Sequence, residues 1–188
     1  MGYAISWLAV KGKPAQEIRE ALGFRPTGER EEIPESEFSA VEMPNGWYLI
    51  VRNNYSAPVA SDEAIRKLSA SGCESVTCSV EEHVMVSTAT GWENGRMKWS
   101  IVHDCDKGKR HLDVQGDLPP GFAAIRDTLL SKSKPDVDYI FDIPVETAKS
   151  VTGYRYDGDV PGLSGDVFQV LEPVPSQKPS LFKRLFGG

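Results

Sequence analysis

Hydrophobic positions along the chain follow two rhythms. "YAISWLAV", Tyr3 to Val10, is a run of apolar, aromatic and β-branched residues, which predicts a strand buried on at least one face. "KPAQEIREALG" then changes to helical spacing. Pro14 stands in the first turn, Ile18, Ala21 and Leu22 fall along one side, and Gly23 is placed to close the helix in the left-handed conformation. "FSAVEM" and "WYLIVRN" flank "PNG", where Asn45-Gly46 supplies the positive φ angles of a tight hairpin. "SDEAIRKLSASG" predicts a second helix with Ser61 or Asp62 as N-cap, Ile65 and Leu68 on its apolar side and Gly72 beyond its end. "ESVTCSVEEH" alternates Val76, Cys78 and Val80 with polar neighbours, as a half-buried strand does.

To this point the order is β-α-β-β-α-β, the split arrangement of ferredoxin-like domains. A meander is expected next, with Asn94-Gly95 turning strand 83–90 into strand 97–104 and "RHLDVQGD" as a third strand. "DLPPGFAAIRDTLLSKS" places Phe122, Ile125 and Leu129 on one helical side. "VDYIFDIPVETAKSVTG" reads as a strand, a helix begun by Pro144 and a Gly153 stop, and "VFQVLEP" as a final strand. The expected fold is α+β, a mainly antiparallel sheet with helices on one face. It comprises a single domain over 1–173, with a βαββαβ unit at 1–82 and a meander plus αβ extension at 83–173. Residues 174–188 are expected to form a flexible, proline-containing tail with a short amphipathic end.

"EEHVMVSTATGWENGRMKWSIVHD" concentrates carboxylates, two tryptophans and two of the three histidines, so it is the first place to look for chemistry. A two-residue turn pairs Glu93 with Arg96, Thr88 with Ile101 and Val86 with His103. That register places His103 with Val84, Val86, Trp99 and Ile101 and sends His83 to the other face. The two imidazoles then cannot share a metal, although a one-residue slip would reverse this. His111 opposes either Asp104 or His103, depending on the loop. Cys73, Cys78 and Cys105 lack the spacing of zinc ligands, so neither metal nor cofactor is expected.

No nucleophile elbow, phosphate loop or dinucleotide fingerprint occurs in the chain. Its 188 residues are 40% hydrophobic and 26% charged, with a formal net charge of −6, which disfavours direct binding to a nucleic-acid backbone. No run is long and apolar enough to span a membrane, and the N-terminal residues lack a secretory pattern, so a cytoplasmic location with reduced thiols is expected. Residues 25 to 37, "RPTGEREEIPESE", hold five glutamates and little to bury, and read as a surface loop.

Two functions follow. The first is a non-enzymatic protein-binding module of the immunity or inhibitor type, as among small bacterial proteins that neutralise another protein. Glu29, Glu31, Glu32, Glu35 and Glu37 would meet a basic partner. The alternative is a small hydrolase or transferase using His103 with Asp104, Cys105 or Glu82. The tail residues Leu181, Phe182, Leu185 and Phe186, beside Lys183 and Arg184, are expected to dock on this chain or on a partner.

Overall fold

The computed structural model describes residues 2–54, 58–70, 72–132 and 137–175. The N-terminal elements are β1 (Ala4–Lys11), α1 (Ala15–Leu22), β2 (Phe24–Glu31), β3 (Phe38–Glu42), β4 (Tyr48–Arg52), α2 (Asp62–Ala70) and β5 (Glu74–Glu81). They are followed by β6 (Val86–Glu93), β7 (Arg96–Asp104), β8 (Asp113–Gly116), α3 (Phe122–Leu130), α4 (Asp142–Thr152) and β9 (Phe168–Pro173). All nine strands join one sheet in the order β2-β9-β3-β4-β1-β5-β6-β7-β8, and every neighbouring pair is antiparallel. This is an α+β fold. The segment β3-β4-β1-β5 has the strand order of the ferredoxin-like unit, and β6, β7 and β8 extend it as a meander.

The apolar runs of β1 and β4 have a simple cause: both strands are buried on both faces. Trp7, Ala9, Leu49 and Val51 point into one core, while Leu8, Val10, Tyr48 and Ile50 point into the other. Ile18 of α1 and Ile65 and Leu68 of α2 fill the second core. The first core takes Phe122 and Leu129 of α3 and Ile143, Val145 and Ala148 of α4. The expectation of helices on one face therefore holds for α1 and α2 alone. A central strand that is apolar on both sides needs a layer on each, and the C-terminal helices supply the second. No described helix is long and apolar enough to cross a membrane.

Three local expectations are corrected. Residues 24–31 form an edge strand paired with β9, although they offer almost nothing to bury. The backbone ladder holds them, and a register shift between Pro26 and Arg30, with Gly28 at φ 97°, breaks the exposed edge. The segment at 137–141 is a turn leading into α4 rather than a strand, because Asp138 Oδ1 accepts the amides of Ile140 and Phe141 at 3.0 and 3.3 Å. In the β6/β7 hairpin a bulge between Gly91 and Trp92 moves the register by one residue, so that His103 stands opposite Ser87 and Val86 opposite Asp104.

Candidate functional site

A groove of about 520 Å³ opens where the loop after β2 faces the segment between α4 and β9. Its buried members, Ile5, Tyr154, Val160 and Phe168, form an apolar floor. Glu32, Glu35, Asp157 and Asp159 are the acidic residues of its lining, which among the described residues contains no lysine, arginine or histidine. Tyr3 and Ile33 also line it and are 46% and 60% exposed, so large apolar surface stands beside the negative charge.

The acidic wall is held in place by its own side chains. The Glu31 carboxylate turns inward and accepts the amide of Glu35 at 3.1 Å and the amide and hydroxyl of Ser36 at 3.2 and 2.8 Å, with the Ser39 hydroxyl as a further donor. Asn53 donates through Nδ2 to the Glu35 carbonyl at 3.1 Å, and its amide bonds to the Glu37 carbonyl at 3.0 Å. Glu37 itself pairs with Arg52 at 3.2 Å. These bonds occupy the Glu31 carboxylate, while Glu37 keeps an exposed side chain away from the groove and Glu32 and Glu35 line it. Glu29 is exposed on β2 and does not line it.

The opposite wall is tied down as firmly. Arg155 contacts Asp142 at 2.9 Å and Glu146 and Asp157 at 2.5 Å. Burial works against its charge, but the hydrogen bonds to Asp157 and Asp142 and their negative charges outweigh this and raise its pKa above the ordinary arginine value. The Tyr156 hydroxyl donates to Glu82 Oε1 at 2.6 Å, and the other oxygen of Glu82 accepts the Tyr3 amide at 2.9 Å. Burial first, then the adjacent Glu82 carboxylate, pushes the Tyr156 phenol well above its usual range. Burial does the same to Tyr154, whose ring meets Trp7 edge-on at 5.5 Å. The groove thus presents tyrosines beside carboxylates, an arrangement that suits a cation carried on an apolar stem.

His103 lies elsewhere, fully buried between the sheet and the turn before α4. Its Nδ1 is 2.7 Å from the His111 carbonyl, which can only accept, so Nδ1 carries a proton. Its Nε2 is 3.1 Å from Asp138 Oδ2 but is not aligned on it for a hydrogen bond. The ring ties β7 to the segment before β8 and meets the Phe141 ring edge-on at 6.3 Å. Ser87, directly opposite, spends its hydroxyl on the Phe141 carbonyl at 2.7 Å.

The residues of the enzymatic alternative are not gathered around His103. Glu82 serves Tyr3 and Tyr156, while the Asp104 carboxylate accepts the Asp106 amide at 3.1 Å and lies 3.4 Å from Lys107 Nζ. Cys105 and Asp138 line a separate shallow cavity of about 590 Å³, and His103 does not reach it. Despite the shifted register, His83 and His103 stay apart: the exposed His83 ring bonds to Glu81 at 2.6 Å. The register at β8 places His111 beside Asp104, whose amide donates to its Nδ1 at 3.1 Å. Among the described residues no cluster of three histidine, cysteine, aspartate or glutamate side chains is arranged to hold a metal ion.

Sequence reading missed Tyr3, Tyr154, Tyr156, Asp157 and Asp159, and it missed Asp138 as the neighbour of His103. The alternation of tyrosine and charge in "GYRYDGD" was the available signal. Comparison with protein-family models, with curated proteins and with solved structures finds no match for this chain. The functional reading therefore rests on the groove.

Proposed function

We propose that this chain is a non-enzymatic binding protein whose acidic, tyrosine-lined groove captures a basic segment of a partner protein, in the manner of an immunity or inhibitor protein. One observation carries the reading: among the described residues four acidic residues and no basic one line the groove, Asp157 being paired with Arg155 behind it, on walls that internal hydrogen bonds hold in place. Such preorganisation lowers the entropy cost of binding, and the negative charge of Glu32, Glu35 and Asp159 speeds the encounter with a cation. A reducing, cytoplasmic setting suits the three free cysteines, two of them buried, and burial keeps the Cys78 thiol protonated and inert. An enzymatic role gains no support from a closed histidine whose neighbour Ser87 is already engaged.

The test is a peptide array graded in net charge, followed by association kinetics at low and high salt. Peptides that place lysine or arginine beside aromatic residues should be retained. A Glu32→Gln/Glu35→Gln/Asp159→Asn variant should associate with them roughly tenfold more slowly at low salt, and the difference should shrink as salt rises. Equal association by the variant, or equal retention of acidic peptides, would refute the proposal.

A further inference from the structure

Resting on that reading, we infer that the groove's resident ligand is this chain's own C-terminal segment, so that a basic partner must displace it. Residues 176–188, "SQKPSLFKRLFGG", carry Lys178, Lys183 and Arg184 and no acidic side chain, in a chain whose formal net charge is −6. Lys183 and Arg184 sit between Phe182 and Leu185-Phe186, cations set among apolar and aromatic side chains. The groove offers the complement, with Glu32, Glu35 and Asp159 around Tyr3, Tyr154 and Tyr156.

The path is long enough. Strand β9 begins at Phe168 in the groove and ends at Pro173 beside Phe24, where the Val174 amide bonds to the Gly23 carbonyl. To return, the chain must retrace the length of β9, roughly 17 Å. The eight residues from Ser176 to Lys183 can span at most roughly 25 Å. A tether of this length gives an effective concentration on the order of 1 mM. If the groove binds such a segment with a dissociation constant on the order of 0.1 mM, the tether keeps it occupied about nine-tenths of the time. Weaker basic peptides would then be excluded, and only a longer or better-matched partner would enter.

The experiment compares the full chain with its Lys183→Glu/Arg184→Glu variant, both 15N-labelled, each titrated with the synthetic peptide Ser-Leu-Phe-Lys-Arg-Leu-Phe-Gly-Gly. The expected result has two parts: the variant binds the peptide about tenfold more tightly, and the amide signals of Ile33, Gly158 and Gly165 differ between the two chains before any peptide is added. Equal peptide affinity at the groove in both chains would overturn the inference while leaving the groove as a basic-segment site. Failure of either chain to bind this peptide or any basic peptide on the array would overturn both readings. A mass that rises with concentration in the parent chain and not in the variant would assign the segment to a neighbouring copy and overturn the intramolecular contact.

Discussion

The pair formed by Gly91 and Trp99 offers a direct test of the packing. The two stand opposite each other on β6 and β7, and the three heavy atoms nearest to a Cβ built on Gly91 all belong to the Trp99 indole. Gly91 is not among the residues with positive φ, so its backbone tolerates alanine and the indole is the obstacle. Trp99 is 7% exposed. A buried indole removes about 200 Å² from water, and at about 25 cal/mol per Å² this is worth roughly 5 kcal/mol. Trp99→Ala should therefore cost about 3–5 kcal/mol. Gly91→Ala in the parent chain should cost about 1–3 kcal/mol, because the ring has to move out of a packed core. With Trp99 already replaced by alanine, the same substitution meets open space and should stabilise by about 0.5–1 kcal/mol, since alanine loses less backbone entropy than glycine in a strand. Urea unfolding of the four proteins measures the coupling, which should be about 1.5–4 kcal/mol. If Gly91→Ala has the same effect in both backgrounds, the indole does not lie over Gly91 as described.

Two further outcomes follow from the groove walls. Arg155→Gln should destabilise by roughly 2–3 kcal/mol by leaving Asp142, Glu146 and Asp157 without their shared cation, and Arg155→Lys should recover little of it, since a single ammonium cannot reproduce the guanidinium fork; thermal and urea unfolding would show this, and near-parent stability of the lysine variant would contradict it. Tyr48, Tyr154 and Tyr156 have folded-state pKa values raised above the ordinary 10, in each case chiefly by burial, so above pH 10 the unfolded chain releases phenol protons that the folded chain keeps. Stability is thus fully present below pH 10 and falls as pH rises beyond it, and absorbance at 295 nm should show Tyr154 and Tyr156 titrating only when the protein unfolds and Tyr48 titrating later than a free phenol; all six tyrosines titrating near pH 10 in folded protein would contradict this.

How much of this was legible in the chain depends on whether a signal was local. The strands at 3–10 and 47–53 announced themselves through apolar density, and the Pro14, Ser61, Gly23 and Gly153 signals marked helix ends where the structure has them: the Ser61 hydroxyl accepts the Ala64 amide at 3.3 Å, and the two glycines adopt the left-handed conformation. Trp7, Leu49, Val51, Trp99, Ile101 and Phe122, which stand at apolar positions of those strand and helix patterns, are all buried. The edge strand at 24–31 carried no such signal, because its stability comes from a ladder with β9, more than a hundred residues away in the chain. The bulge at Gly91 was equally silent, and it moved every pairing beyond it by one residue. Leu181, Phe182, Leu185 and Phe186 lie outside the described residues.

The acidic stretch shows the same division at the level of function. Its composition was plain in the chain, yet five adjacent glutamates turned out to have different employment: Glu31 holds the loop, Glu37 keeps an exposed side chain away from the groove, Glu29 stands on the outer strand, and Glu32 and Glu35 line the groove. Periodicity and turn chemistry act between residues a few positions apart, so element types and core faces can be read in order along the chain. A groove is made where Tyr3, Glu35 and Tyr156 converge from distant parts of the chain, and that convergence depends on strand order and packing, which only the folded sheet determines.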